Sequence, residues 1–134
     1  VIDDYAHHPT EIAATLQAAR DRFPNRRIWA VFQPHTFSRT KALLDDFAAA
    51  LAVADEIVLL DIYAAREIDD GAVSSADLQR LIGPRATLSS GVSDVVPAVY
   101  PLLLEGDVVL PIGAGDVTHA GPALVRALER GSID

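Results

Sequence analysis

The chain has 134 residues, half of them apolar, with no cysteine and a formal net charge of −8. That length suits one domain with a real core, and no apolar run approaches the about 18–20 residues that span a bilayer. The acidic balance argues against nucleic acid and anionic membrane surfaces, both of which call for a basic face, and the lack of cysteine excludes a disulfide framework.

Apolar periodicity alternates between strand-like and helix-like along the chain. Ile2 belongs to a clipped first strand. The chain opens on Val1, contains no methionine and shows no secretory signal, so an excised domain of a longer cytoplasmic protein is expected. Pro9 suits the first position of a helix and Glu11 its first turn. Ile12, Leu16, Ala19 and Phe23 then share one helical face, and Pro24-Asn25 ends the run. Ile28-Trp29-Ala30-Val31-Phe32 is a continuous apolar strand, the pattern of a sheet covered on both faces. Thr36 or Ser38 can cap the next helix, with Leu43, Leu44, Phe47 and Leu51 facing the core. Ile57-Val58-Leu59-Leu60 forms a further strand and runs into a polar loop from Asp61 to Ala72. Ser74 with Asp77 resembles a capping box for a helix carrying Leu78, Leu81 and Ile82. Ala86-Thr87-Leu88 is a short strand near an edge. A helix from about Val92 to Leu104 contains Pro97 and Pro101, and Pro101 should kink or divide it. Val108-Val109-Leu110-Pro111-Ile112 is the last strand, with edge-like pairing expected at Pro111. Leu124, Val125 and Leu128 mark a final helix. The alternation predicts an α/β domain, a three-layer α/β/α Rossmann-like arrangement with a mainly parallel sheet of about five to six strands.

Residues just after each strand carry the chemistry, because parallel strands with right-handed crossovers bring those ends to one edge of the sheet. The first supplies Asp4, Tyr5, His7 and His8; the second Gln33, His35 and Arg39; the third Asp61, Tyr63, Arg66 and Glu67; the last Gly113, Gly115 and Asp116. Each has a bland alternative. Asp4 can simply cap a helix, although a carboxylate at a strand end also suits ribose hydroxyls. His7-His8-Pro9 can be a polar start to a helix, and neighbouring histidines in a turn lack the spacing of known zinc sites, so no metal site is assigned. Arg39 opposes the dipole at the start of its helix, which favours a role facing a carboxylate or phosphate. Lys41 fits a solvated surface. Gly113-Ala114-Gly115-Asp116 is too short for a dinucleotide fingerprint and has no following lysine for a P-loop. From residues alone, a ligand-binding α/β module without chemistry stays open.

Four segments together resemble the C-terminal domain of the Mur ligase family. Asp3-Asp4-Tyr5-Ala6-His7-His8-Pro9-Thr10-Glu11 is similar to a family motif, as is Phe32-Gln33-Pro34-His35 followed by Ser38-Arg39-Thr40. Asp61-Ile62-Tyr63-Ala64-Ala65-Arg66-Glu67 and Gly113-Ala114-Gly115-Asp116 follow in matching order and spacing. The likeness covers essentially the whole chain.

The resemblance implies the C-terminal part of an ATP-dependent ligase joining L-alanine to UDP-N-acetylmuramate through an acyl phosphate. A muropeptide-recycling member of the same family is the alternative. It also implies an N-terminal UDP-binding domain and a central ATPase domain outside residues 1–134, the latter holding most of ATP and Mg²⁺. The fragment by itself would then be inactive. On this resemblance Asp4 receives the ATP ribose, and Tyr5, His7, His35 and Arg39 form the amino-acid pocket. Asp61, Arg66, Gly113, Gly115 and Asp116 line the crevice. Thr36 stands where many members carry a second arginine, which leaves Arg39 more alone.

Overall fold

The computed structural model describes residues 1–133. Helix α1 (Pro9–Arg22) starts as its sequence suggests. Pro9 occupies the first turn, the His8 ring nitrogen accepts the Thr10 N–H at 3.2 Å, and the Glu11 carboxylate accepts the His8 N–H at 3.2 Å. Then come β1 (Ile28–Phe32), α2 (Phe37–Ala42), α3 (Leu44–Leu51), β2 (Glu56–Leu59), α4 (Ser75–Ile82), β3 (Ala86–Leu88), α5 (Val95–Val99), β4 (Val108–Ile112) and α6 (Ala120–Arg130).

All pairings are parallel, in the order β3-β2-β1-β4. The first segment supplies a fifth line: the Ile2 N–H bonds the Val109 carbonyl, Asp4 N–H that of Pro111, and Gly113 N–H that of Asp4. Pro111 sits in this outer ladder, so its missing N–H costs nothing against β1 and only interrupts pairing with residues 2–4. The edge-like pairing expected at Pro111 takes this form.

β1 and β4 are buried along their whole length. Ile28, Ala30 and Phe32 of β1 meet α1, α3 and α4 through Ile12, Leu16, Phe47, Leu51 and Leu78. Trp29 and Val31 meet the other layer, where Val95, Val99, Leu124 and Ala127 come from α5 and α6. Two-sided coverage explains why these strands read as unbroken apolar runs.

Three local expectations need correction. The single helix expected from a Thr36 or Ser38 cap through Leu51 is two helices. Buried Thr40 turns its hydroxyl back to the Thr36 carbonyl at 2.7 Å, a bond that bends helices, and the break falls at Leu43. Leu43 and Leu44 are consequently only half-buried, while Phe47 and Leu51 are inaccessible. Leu81 is exposed, because α4 touches the core through Ser75 and Leu78 with Ile82 partly covered. Val125 and Leu128 are exposed as well, since α6 packs through Ala120, Leu124 and Ala127. Pro101 does divide its segment, leaving α5 between two single 3-10 turns. No helix among the described residues is long and apolar enough to cross a membrane.

Candidate functional site

The strand order reverses at β1. The chain moves from β1 outward to β2 and β3, and then returns to place β4 on the other side. A crevice is expected where such a reversal meets the C-terminal strand ends. Four segments converge there: 4–8, 33–39, 61–67 and 113–117.

The throat of this crevice is filled by protein. Buried Gln33 accepts the Val117 N–H on Oε1 at 2.9 Å and reaches the Asp61 carbonyl with Nε2 at 3.5 Å. Gly113 has φ +142°, and a Cβ there would lie 2.8 Å from Val117 Cγ1, so only glycine fits. A Cβ on Gly115 would lie 2.7 Å from both Gln33 Oε1 and Tyr63 Cγ. Tyr63 therefore lies against the turn after β4 while its ring stacks on His35, with centroids 5.4 Å apart. His7 follows at 6.2 Å from His35. Tyr63, His35 and His7 form a continuous row above the sealed throat.

His35 is the electrostatic centre of the row. Its Nδ1 is buried without a hydrogen-bond partner. Burial pushes its pKa below the usual histidine range; the charges of Arg39 and His7 act the same way and Glu67 opposes them. The ring is thus neutral at pH 7 and can accept or donate one hydrogen bond without adding charge. Arg39, half-buried in the first turn of α2, makes no ion pair and no side-chain hydrogen bond among the described residues. A half-buried guanidinium beside a neutral imidazole is a ready partner for a small carboxylate.

The remaining expected site residues are spread along the same edge. Asp4 faces α1, its Oδ1 accepting the Ala6 N–H at 2.7 Å and its Oδ2 the Thr15 hydroxyl at 2.9 Å. Tyr5 is 69% exposed. Asp116 is exposed on the turn after β4, and Asp61 opens toward Ser74 and Ser75 beyond the row. Arg66 lines a separate cavity of about 520 Å³ with Lys41, Phe37 and Ile68. The structure thus gathers His7, His35, Gly113 and Gly115 around Tyr63 and Gln33, and holds Asp4, Asp61 and Arg66 to the sides. His8 is diverted to capping α1. Among the described residues no three His, Asp or Glu side chains converge as metal ligands would.

Sequence reasoning misses Thr15 altogether, and it groups Glu67 with the strand-end residues without its partners. Thr15, the partner of Asp4, reads as an ordinary helix residue. Glu67 accepts the N–H groups of Phe37 at 2.6 Å and Ser38 at 3.0 Å, as well as the Ser38 hydroxyl. A bond between residues thirty apart leaves no local pattern.

Comparison with known proteins points to one family. Residues 1–115 match the family described as Mur ligase, glutamate ligase domain. The chain is 52% identical over 119 residues to a UDP-N-acetylmuramate–L-alanine ligase from Alkaliphilus metalliredigens, covering 87% of this chain and 26% of that protein. Among solved structures, the UDP-N-acetylmuramate-alanine ligase of Thermotoga maritima matches with a TM-score of 0.75 and 31% identity, over 96% of this chain and 26% of that one. A murein peptide ligase from Psychrobacter arcticus matches with a TM-score of 0.71 and 25% identity, over 93% of this chain and 26% of that one. The chain spans about a quarter of the length of the curated relatives it matches.

Proposed function

The chain belongs to the Mur ligase family, and from that premise we propose that it is the C-terminal domain of an ATP-dependent ligase joining L-alanine to UDP-N-acetylmuramate in the cytoplasm. The observation that carries this reading is the unpaired Arg39 guanidinium beside the His7–His35–Tyr63 row, where four chain segments meet. Alanine is favoured over a peptide as the incoming amine by curated relatives near 50% identity that bear the alanine ligase name. Among solved structures it is favoured by 31% identity to an alanine ligase against 25% to a murein peptide ligase.

In this reading the uridine nucleotide and the Mg²⁺-bound triphosphate are held by domains preceding this one. ATP activates the muramoyl carboxylate as an acyl phosphate, which the amine of L-alanine attacks. This chain's residues act on the amino acid and on the far end of ATP. Arg39 pairs with the alanine carboxylate, and His35 and His7 line the pocket without adding charge. Tyr5, exposed at the first strand end, closes over it. The Asp4 oxygens keep lone pairs beyond the Ala6 and Thr15 bonds, and these suit ribose hydroxyls. Gly113, Gly115 and Asp116 form the wall nearest the preceding domain. Asp61 and Arg66 flank the crevice. The domain's share of catalysis is orientation and exclusion of water, which would otherwise hydrolyse the acyl phosphate.

The test is phosphate release by the complete polypeptide that carries this domain. Release requiring ATP, UDP-N-acetylmuramate and L-alanine together supports the proposal. Release supported by a peptide and not by L-alanine would move the assignment to the muropeptide-recycling activity. The chain of 134 residues alone should release none.

A further inference from the structure

Helix α2 has six residues, too few to be stable on its own propensity, yet it carries Arg39. It starts from an awkward residue: Thr36 sits at φ 64° and ψ 146°, a backbone conformation that a β-branched residue holds only when its surroundings over-determine it. Helices α1, α3 and α4 carry an acidic residue in their own first turn, namely Glu11, Asp45 with Asp46, and Asp77. α2 has none. Its acid comes from Glu67, whose carboxylate takes the N–H groups of Phe37 and Ser38 and the Ser38 hydroxyl. The same loop ties down the other side of Thr36. The Thr36 N–H donates to the Tyr63 carbonyl and the Tyr63 N–H to that of Pro34, both at 2.8 Å. Segment 61–67 therefore clamps the strained turn before and after Thr36, between His35 and Arg39.

Resting on the ligase reading above, we propose that Glu67 is a positioning residue for the amino-acid carboxylate, holding α2 so that Arg39 faces the pocket. Without the carboxylate, the strain at Thr36 can relax by backbone rotation and swing the first turn of α2, taking Arg39 with it. The latch is charged at neutral pH, since the Ser38 hydroxyl and N–H hold the Glu67 pKa below the usual carboxylate range, against a smaller effect of burial and with help from the Phe37 N–H and His35.

The experiment is steady-state kinetics of the complete ligase with Glu67→Gln, Ser38→Ala, Asp70→Asn and Arg39→Ala. Glu67→Gln removes the charge at nearly constant size, and Ser38→Ala removes one of three donors. Asp70→Asn takes a charge from the same loop that bonds only the Ala72 N–H. The expected KM for L-alanine rises about tenfold in Glu67→Gln and about threefold in Ser38→Ala, with the KM for ATP unchanged. Asp70→Asn should match the parent. If Arg39→Ala raises the KM for L-alanine and Glu67→Gln does not, the inference is wrong and the ligase reading stands. Equal changes for L-alanine and ATP in Glu67→Gln, or an Asp70→Asn effect of the same size, would reduce Glu67 to general support and refute its positioning role. Should Glu67→Gln fail to fold, the Ser38→Ala ratio decides, an unchanged KM refuting the proposal. Loss of the Arg39→Ala effect itself would overturn the pocket assignment and this inference with it.

Discussion

Replacing Gly115 with alanine should dislodge the aromatic row without adding or removing a charge. The backbone at Gly115 has φ −101° and ψ −139°, and the added Cβ brings a steric penalty. The new Cβ would stand 2.7 Å from Tyr63 Cγ, 2.9 Å from Tyr63 Cδ2 and 2.7 Å from Gln33 Oε1, where ordinary contact begins at 3.4 Å. Overpacking of this kind costs about 1–3 kcal/mol. Gln33 cannot retreat freely, because moving Oε1 deprives the buried Val117 N–H of its acceptor, which costs about another 1 kcal/mol or more. A total of about 2–4 kcal/mol corresponds to a fall in Tm of roughly 7–14 °C for a domain of this size. The checks are thermal unfolding and the NMR shifts of the His35 ring protons, which feel the Tyr63 ring current. Gly115→Ala with Tm within about 2 °C of the parent, and with unmoved His35 shifts, would refute the packing described for this turn.

Two further predictions concern charge. At the opposite end of the sheet, Asp107 accepts bonds from the Arg27 guanidinium, the Trp29 indole N–H at 2.9 Å and the Leu104 N–H at 3.0 Å. Its side chain is 6% exposed and that of Arg27 31%, so Asp107→Asn should cost about 2–3 kcal/mol, discounted for the wetter partner and read from thermal melts. Burial alone would raise the Asp107 pKa, but the Arg27, Leu104 and Trp29 bonds together with the Arg27 charge outweigh it and hold it below 3.8. The carboxylate thus stabilises the fold above its unfolded pKa and loses that contribution as pH falls through the folded one. The gap between parent and Asp107→Asn should therefore shrink below about pH 3.8; a gap constant from about pH 7 to about pH 2 would contradict this. His35 should titrate by NMR below 6.5 and move toward that value in Arg39→Ala, because removing one cation eases protonation while burial persists. Its lowered pKa means stability falls as the solution drops below 6.5 and the unfolded chain gains the proton first. A midpoint at or above 6.5 would show that His35 is more open to water than described.

Much of the architecture is legible because it depends on local pattern. The unbroken apolar runs at Ile28–Phe32 and Val108–Ile112 announce strands covered on both faces, and Pro9 and Pro101 start and split helices by their missing N–H. Convergence at one sheet edge follows from parallel topology, so His7, His35 and the Gly113–Gly115 turn could be grouped before any coordinates. Contacts made across the chain are not legible in this way. The break at Leu43 depends on Thr40 being buried with its hydroxyl turned inward. The exposure of Leu128 depends on Ala127, a small residue, taking the place against the sheet. Gly115 reads as a flexible turn, whereas its role is to let Tyr63 approach. Glu67 reads as one more charge in a polar loop, whereas it caps a helix that begins thirty residues earlier.

The central claim is that the strand-end edge holds an amino-acid carboxylate through Arg39. It is tested most directly by measuring KM for L-alanine and for ATP in the complete ligase with Arg39→Ala. Loss of a charge-assisted pairing predicts a KM for L-alanine raised by about tenfold to a hundredfold, with that for ATP changed by less than about twofold. Equal changes in both constants, or none in either, would contradict the account.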